Sequence, residues 1–381
     1  MNADNLLIIA GEPSGDAHGA SLLKELKILL PNSRFWGIGG NCMEQEGFLL
    51  VEHIRNLSII GVWEALKNLP KIYAQYKKIA SAVDENKPKA AILIDYPGFN
   101  LKIAKLLTRK KIPVFYYIIP QVWVWGKNRI HLLRKFTDKC LVLFKFEEEL
   151  LLSVGIDCEF VGHPLMDKID SRPAGNDREG ENNGANTIAL LPGSRKSEIQ
   201  KLLPVMLDSA EKIRMSQKDI SFISAENSNI DPALYDSFLS SYSHLSIKRV
   251  KDNTLEALRQ CDFAIVASGT ATLETAAMEK PMLIIYRSSA FTTLAFRLFI
   301  RLPFVGLVNI IAGKEVCPEL LQEHAVPEEI AAKTLEILTD QTQMENTKKK
   351  LREIRDSLGG AGASKRAAVV IQEFLRKDFG R

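Results

Sequence analysis

Short, mostly apolar runs alternate along this chain with longer stretches of helical period. The runs fall at 6–10, 90–94, 114–119, 139–144, 187–191, 220–224, 263–267 and 282–286. A strand without polar alternation is buried on both faces, as in a parallel sheet sandwiched between helices. Helical patterns occupy 20–29 and 101–109, and another opens at Ser197. Alternating strands and helices predict a doubly wound α/β fold. Residues 171–186 are polar, rich in Gly and Asn and without apolar period, so they read as a linker or surface loop. A new strand–glycine–helix unit starts directly after them. The expected organisation is two Rossmann-like doubly wound domains facing a cleft, at 1–168 and 187–340, joined by 169–186. The helices of 341–381 are expected to cross back to the first domain.

In such sheets ligands gather beyond the C-terminal strand ends, and the unusual sequences lie there. Pro192-Gly193-Ser194-Arg195 follows one strand and precedes a helix; Ser268-Gly269-Thr270 repeats that arrangement. Free N–H groups and the helix dipole make each turn an anion site. Two such turns in one half of the chain suggest a diphosphate, hence a nucleotide-sugar.

Composition sets limits. The 381 residues are 46% apolar and 25% charged, which suits a globular protein of about two domains. A net charge of +4 is too small to indicate nucleic acid, and no nucleic-acid partner is expected. Its distribution is more telling: 96–137 holds nine Lys or Arg and no acid, and 280–314 holds five and none. Such runs are either solvated surface or a face for a phosphorylated or membrane-bound partner. Five scattered cysteines without a CxxC read as reduced thiols, implying neither disulfides nor zinc. The N-terminus does not read as a signal peptide. The most apolar stretch, 291–313, contains Arg297, Arg301 and Pro303, so it is a poor membrane span.

Seven motifs then narrow the reading. Residues 10–16 (Ala-Gly-Glu-Pro-Ser-Gly-Asp), 95–100 (Asp-Tyr-Pro-Gly-Phe-Asn), 120–125 (Pro-Gln-Val-Trp-Val-Trp) with Arg129, and 161–165 (Val-Gly-His-Pro-Leu) come first. Residues 191–199 (Leu-Pro-Gly-Ser-Arg-x-x-Glu-Ile), 268–274 (Ser-Gly-Thr-x-Thr-Leu-Glu) and 318–322 (Pro-Glu-Leu-Leu-Gln) follow. Each alone is a weak signal. Together, and in this order, they resemble the lipid-A-disaccharide synthase family of GT-B glycosyltransferases. Gly98 departs from it, standing where many members carry an aspartate, so Asp95 alone carries the acid role of that motif. The resemblance implies transfer of 2,3-diacylglucosamine from its UDP donor to 2,3-diacylglucosamine 1-phosphate (lipid X). UDP is released and the anomeric centre inverts. No Asp-x-Asp metal motif stands out, and no metal is needed if helix dipoles and Arg stabilise the leaving diphosphate, so neither metal nor cofactor is expected. The resemblance also implies a cytoplasmic enzyme peripherally associated with the inner-membrane lipid surface. Whether copies assemble stays open.

The residues divide by role. Asp95 ends a buried strand and is expected to be the base that takes the acceptor hydroxyl proton; a helix N-cap is the alternative. Gly193, Ser194 and Arg195 are expected to hold the diphosphate, with Arg195 assisting departure of UDP. Ser268, Gly269, Thr270 and Thr272 complete the donor side. Glu274, about one helical turn beyond Thr270, is expected on the ribose hydroxyls, or else paired with a lysine. Asn309 and Gln322 are carried over from the family as donor contacts. Gly11, Glu12, Ser14, Gly15 and Asp16 form a loop that is neither a dinucleotide nor an ATP motif; it is expected at the sugar. Asn100, Gln121 and Arg129 are expected on the acceptor side. The segments 63–73 and 291–304 mix aromatics with basic residues and read as core helices or as membrane-interface helices. Two rival readings share these signals: a UDP-N-acetylglucosamine 2-epimerase, and a non-catalytic nucleotide-sugar or lipid-binding protein.

Overall fold

The computed structural model describes residues 4–56, 69–120, 122, 127–170, 186–228, 230–287 and 304–379. It divides into two compact units, Met1–Asp167 with Leu358–Arg381, and Lys168–Ser357.

In the first unit the strands are β1 (Asn5–Ala10), β2 (Arg34–Gly39), β3 (Leu49–His53), β4 (Ala90–Ile94), β5 (Val114–Tyr117), β6 (Lys139–Val142) and β7 (Cys158–Phe160). They form one parallel sheet in the order β3-β2-β1-β4-β5-β6-β7. β4 is buried along its whole length because helices cover both faces. On one face Leu7, Leu93, Phe99, Leu107 and Tyr116 share a core with Ile79 and Leu133. On the other, Phe115 meets Phe374 edge-on, with ring centroids 4.9 Å apart. Phe374 belongs to the helix Ala363–Phe379, which packs along the helix Pro13–Leu29. The chain end therefore returns to cover a sheet face that would otherwise be wet.

That return starts at Leu358. The helix Gln341–Ser357, expected to cross back with the tail, stays in the second unit. It packs on the helices Thr270–Ala277 and Pro327–Thr339, and Arg352 and Arg355 both pair with Glu279, at 2.8 and 2.9 Å. The glycine break that follows is a pinned turn. Leu358 accepts a hydrogen bond from the His163 N–H, and Arg366 donates to the carbonyls of Val161, Gly359, Gly360 and Ala361.

The second unit carries β8 (Thr187–Leu191), β9 (Ser221–Glu226), β10 (Lys248–Lys251), β11 (Phe263–Ala267), β12 (Met282–Tyr286) and β13 (Glu319–Leu321). They too form one parallel sheet, in the order β10-β9-β8-β11-β12-β13. Strand order reverses between β1 and β4 in one sheet and between β8 and β11 in the other. These are the switch points at which doubly wound sheets bind ligands.

Candidate active site

At the first switch point Ala10 lies beside Ile94, so the residues after them, Gly11-Glu12 and Asp95-Tyr96, leave the sheet together. Gly11 is needed there: a Cβ on it would lie 2.1 Å from the Tyr96 ring. Asp95 and Tyr96 both take left-handed backbone, with φ of 46° and 47°. Two consecutive non-glycine residues in this region are costly and mark a strained turn.

The strain is held from below. The Asp95 carbonyl accepts from the Tyr116 hydroxyl at 2.8 Å and from Asn100 Nδ2 at 2.7 Å. Its N–H donates to the Tyr117 carbonyl at 3.1 Å. The Asp95 backbone is thus fixed at both its N–H and its carbonyl. The N-cap alternative fails, because the helix Pro97–Arg109 is capped at Tyr96 with no side-chain cap bond. Burial pushes the Asp95 carboxyl up to about 6. The Glu12 carboxylate raises it further; the Tyr96 N–H and the half-buried Arg129 oppose the rise. A carboxyl poised this close to neutrality suits a general base.

Asp16, expected at the sugar, and Asn100, expected on the acceptor side, are scaffold instead. Asp16 is buried, and its carboxylate accepts from the N–H groups of Gly40, Cys42 and Met43 at 2.7, 2.9 and 3.1 Å. It caps the helix Asn41–Gln45 and has no exposed face for a hydroxyl. Asn100 is fully buried and bonds the carbonyls of Ile94 and Asp95. Gly15 is buried where the helix start crosses the end of β1, whereas Glu12 and Ser14 are exposed. Gln121 lies outside the described residues, as do Trp123, Trp125, most of 63–73 and nearly all of 291–304.

At the second switch point Gly193 turns the chain out of β8 with φ 103°. Ser194 and Arg195 are exposed. Their N–H groups point at an anion that the chain itself supplies. Glu198 Oε2 accepts from both, at 3.1 and 3.2 Å, and Glu198 Oε1 meets the Arg195 guanidinium at 2.7 Å. This is a capping box at the start of the helix Lys196–Ser216. A Cβ on Gly193 would lie 2.4 Å from the Glu198 carboxylate, so glycine is needed here as well.

Beyond β11, Gly269 and Thr270 are exposed at the start of the helix Thr270–Ala277, and Ser268 donates to the Val305 carbonyl at 3.1 Å. Thr272 is not a donor contact: its buried hydroxyl donates back to the Gly269 carbonyl at 2.7 Å. Glu274 is half-buried, and burial raises its carboxyl while Lys168 opposes the rise. No hydrogen bond among the described residues uses that carboxylate.

Asn309 is also scaffold. It is fully buried, accepts from the Val316 and Cys317 N–H groups, and donates to the Cys317 carbonyl and to Glu319 at 2.7 and 2.8 Å. Glu319 in turn accepts from the Val305 and Gly306 N–H groups, both at 2.9 Å. This pair ties the segment carrying Val305, the acceptor of the Ser268 hydroxyl, to β13. Gln322 follows the end of β13 with left-handed backbone. Among the described residues no three of His, Cys, Asp and Glu gather as a metal-ligand set.

Tyr96, Tyr116 and Glu198 are site residues that the sequence reading did not single out. Tyr116 carried a signal nonetheless, since a tyrosine inside a buried strand must find a partner for its hydroxyl.

The fold is of the GT-B type. A putative UDP-N-acetylglucosamine 2-epimerase from Listeria monocytogenes superposes with a TM-score of 0.66 at 14% identity, over 98% of this chain and 97% of that one. The glycotransferase of kitacinnamycin gives 0.65 at 15% identity, over 98% and 99%. These likenesses extend to the fold alone. The sequence decides between them: the chain belongs to the lipid-A-disaccharide synthetase family, whose model matches residues 6–374. The lipid-A-disaccharide synthase of Syntrophus aciditrophicus is 38% identical over 380 residues, 99% of each chain.

Proposed function

We propose that the chain joins two acylated glucosamine units, taking one from a UDP donor and passing it to lipid X. The acceptor 6-hydroxyl oxygen attacks C1 of the donor sugar. The O6–C1 bond forms, the C1–oxygen bond to UDP breaks, and the configuration at C1 inverts. Asp95 takes the hydroxyl proton. Arg195 and the N–H groups of Gly269 and Thr270 offset the charge gathering on the leaving diphosphate. Glu274 accepts from the ribose hydroxyls; Glu12 and Ser14 meet sugar hydroxyls and Arg129 the acceptor side.

The observation that carries this reading is Asp95 itself. It is a half-buried carboxyl on strained backbone, raised to about 6 at a sheet switch point, in a chain of this family. The epimerase neighbours share only the fold, whereas the family match runs along nearly the whole sequence. The test is Asp95→Asn. A variant that binds UDP normally and no longer turns over supports the base, and an unchanged rate removes it.

Acylated substrates also require contact with a lipid surface. Among the described residues no helix is long and apolar enough to cross a membrane. We propose peripheral association with the inner membrane from the cytoplasmic side. It is tested by flotation with anionic phospholipid vesicles: co-flotation supports it, and protein left in the dense fraction contradicts it.

A further inference from the structure

We propose that Tyr116 and Asn100 are positioning residues for Asp95, setting the angle of its carboxylate by clamping its carbonyl. The inference rests on the reading of Asp95 as the base, and it starts from backbone geometry.

β5 places Tyr116 one residue short of its end, facing the same core as Phe99 and Leu107. β4 places Asp95 one residue past its own end, with Ile94 beside Tyr117. The Tyr116 hydroxyl therefore reaches up to the carbonyl at the point where β4 stops, at 2.8 Å. Asn100, one helical turn beyond Tyr96, reaches the same oxygen at 2.7 Å and the Ile94 carbonyl at 3.1 Å. Both donors are fully or almost fully buried, so water does not compete for the carbonyl.

The clamp matters because of the conformation it holds. A strand that ran on would send the Asp95 side chain to one face of the sheet, into a core. With φ at +46° for Asp95 and +47° for Tyr96, the chain turns out at the strand end instead. Such backbone persists only where its surroundings over-determine it. Two side-chain donors on one carbonyl, from a neighbouring strand and the following helix, are that determination. A single hydroxyl thus acts on the base without touching a substrate.

The experiment compares Tyr116→Phe with Tyr117→Phe. Both delete one buried hydroxyl from the same strand. The Tyr117 hydroxyl lies beside Ser364 on the opposite face and makes no contact with Asp95. Each variant is assayed for kcat, donor KM and UDP affinity, with melting temperature as a control for folding. Tyr116→Phe is expected to lower kcat roughly 10- to 100-fold, the scale of a misplaced catalytic group. KM and UDP affinity stay within about twofold, and Tyr117→Phe keeps full kcat. Asn100→Ala is expected to lower kcat in the same way at unchanged UDP affinity. Full kcat in Tyr116→Phe, or an equal fall in both tyrosine variants, overturns the positioning role. Asp95→Asn separates this from failure of the underlying reading. If that variant is active, the base assignment falls; if it is inactive while Tyr116→Phe is fully active, only the clamp falls.

Discussion

Arg195 and Glu198 form a 2.7 Å ion pair across the glycine turn that the sequence marks as a diphosphate site. The same carboxylate holds the N–H groups of Ser194 and Arg195. An internal anion thus keeps the turn in anion-binding shape. Glu198→Ala is expected to cost about 0.5–2 kcal/mol of stability through the lost cap. It leaves UDP affinity equal or higher, because the donors it frees can meet phosphate. Arg195→Ala is expected to weaken UDP roughly 10- to 100-fold, the size of a charged hydrogen bond. Melting curves and calorimetric titration with UDP check both.

Asp95 acts as a base only when ionised. With its carboxyl at about 6, kcat/KM is expected to fall as pH drops through that value. Asp95→Asn is expected to lower kcat by roughly 10²- to 10⁴-fold. The sign for stability is the reverse of a salt-bridged aspartate. The folded pKa lies above the ordinary 3.8, so the native state holds its proton more tightly. This contribution to stability is present below that value and is lost as pH rises from 3.8 to about 6.

Gly98 sits in the first turn after Asp95, and a Cβ there meets nothing within 4 Å. Gly98→Asp, the residue many family members carry, fits without rearrangement. It is expected to stabilise the helix start by about 0.3–1 kcal/mol. As a like charge near Asp95 it moves the acid limb of kcat/KM to higher pH. A pH profile that does not move contradicts the electrostatic account of the raised carboxyl.

Glu147 is buried after β6, accepting from the Leu143 and Phe144 N–H groups at 3.1 Å. Burial pushes its carboxyl up to about 8 from an ordinary 4.5. Its contribution to stability is complete below 4.5 and is lost as pH rises to about 8. Glu147→Gln removes that loss, so the variant gains on the parent between pH 6 and pH 9. Melting temperatures at the two pH values test it, and a constant difference contradicts it.

The buried strands were legible because parallel sheets leave apolar runs, as in 90–94 and 263–267. Strands without such runs were not. β2 (Arg34–Gly39) contains two glycines, β10 (Lys248–Lys251) is an edge strand with three basic residues, and β7 and β13 have three residues each. The run at 114–119 stops early, at Tyr117, because Ile118 turns left-handed with φ 62°. Glycine turns announced both switch points. Which polar residues face outward was not legible. Asp16, Asn100, Thr272 and Asn309 have the residue types of ligand contacts, but backbone groups consume them: a distant helix start for Asp16, and nearby strand, turn or helix-start groups for the other three. The family resemblance marks that they matter without separating scaffold from contact.

The activity to be measured is lipid A disaccharide formation from a UDP-sugar. It is tested most directly in detergent micelles with UDP-2,3-diacylglucosamine, lipid X and EDTA, following UDP release and disaccharide together. Disaccharide appearing in step with UDP, without added metal, is the predicted result. UDP released without disaccharide, or no turnover alongside conversion of UDP-N-acetylglucosamine to its 2-epimer, would contradict it.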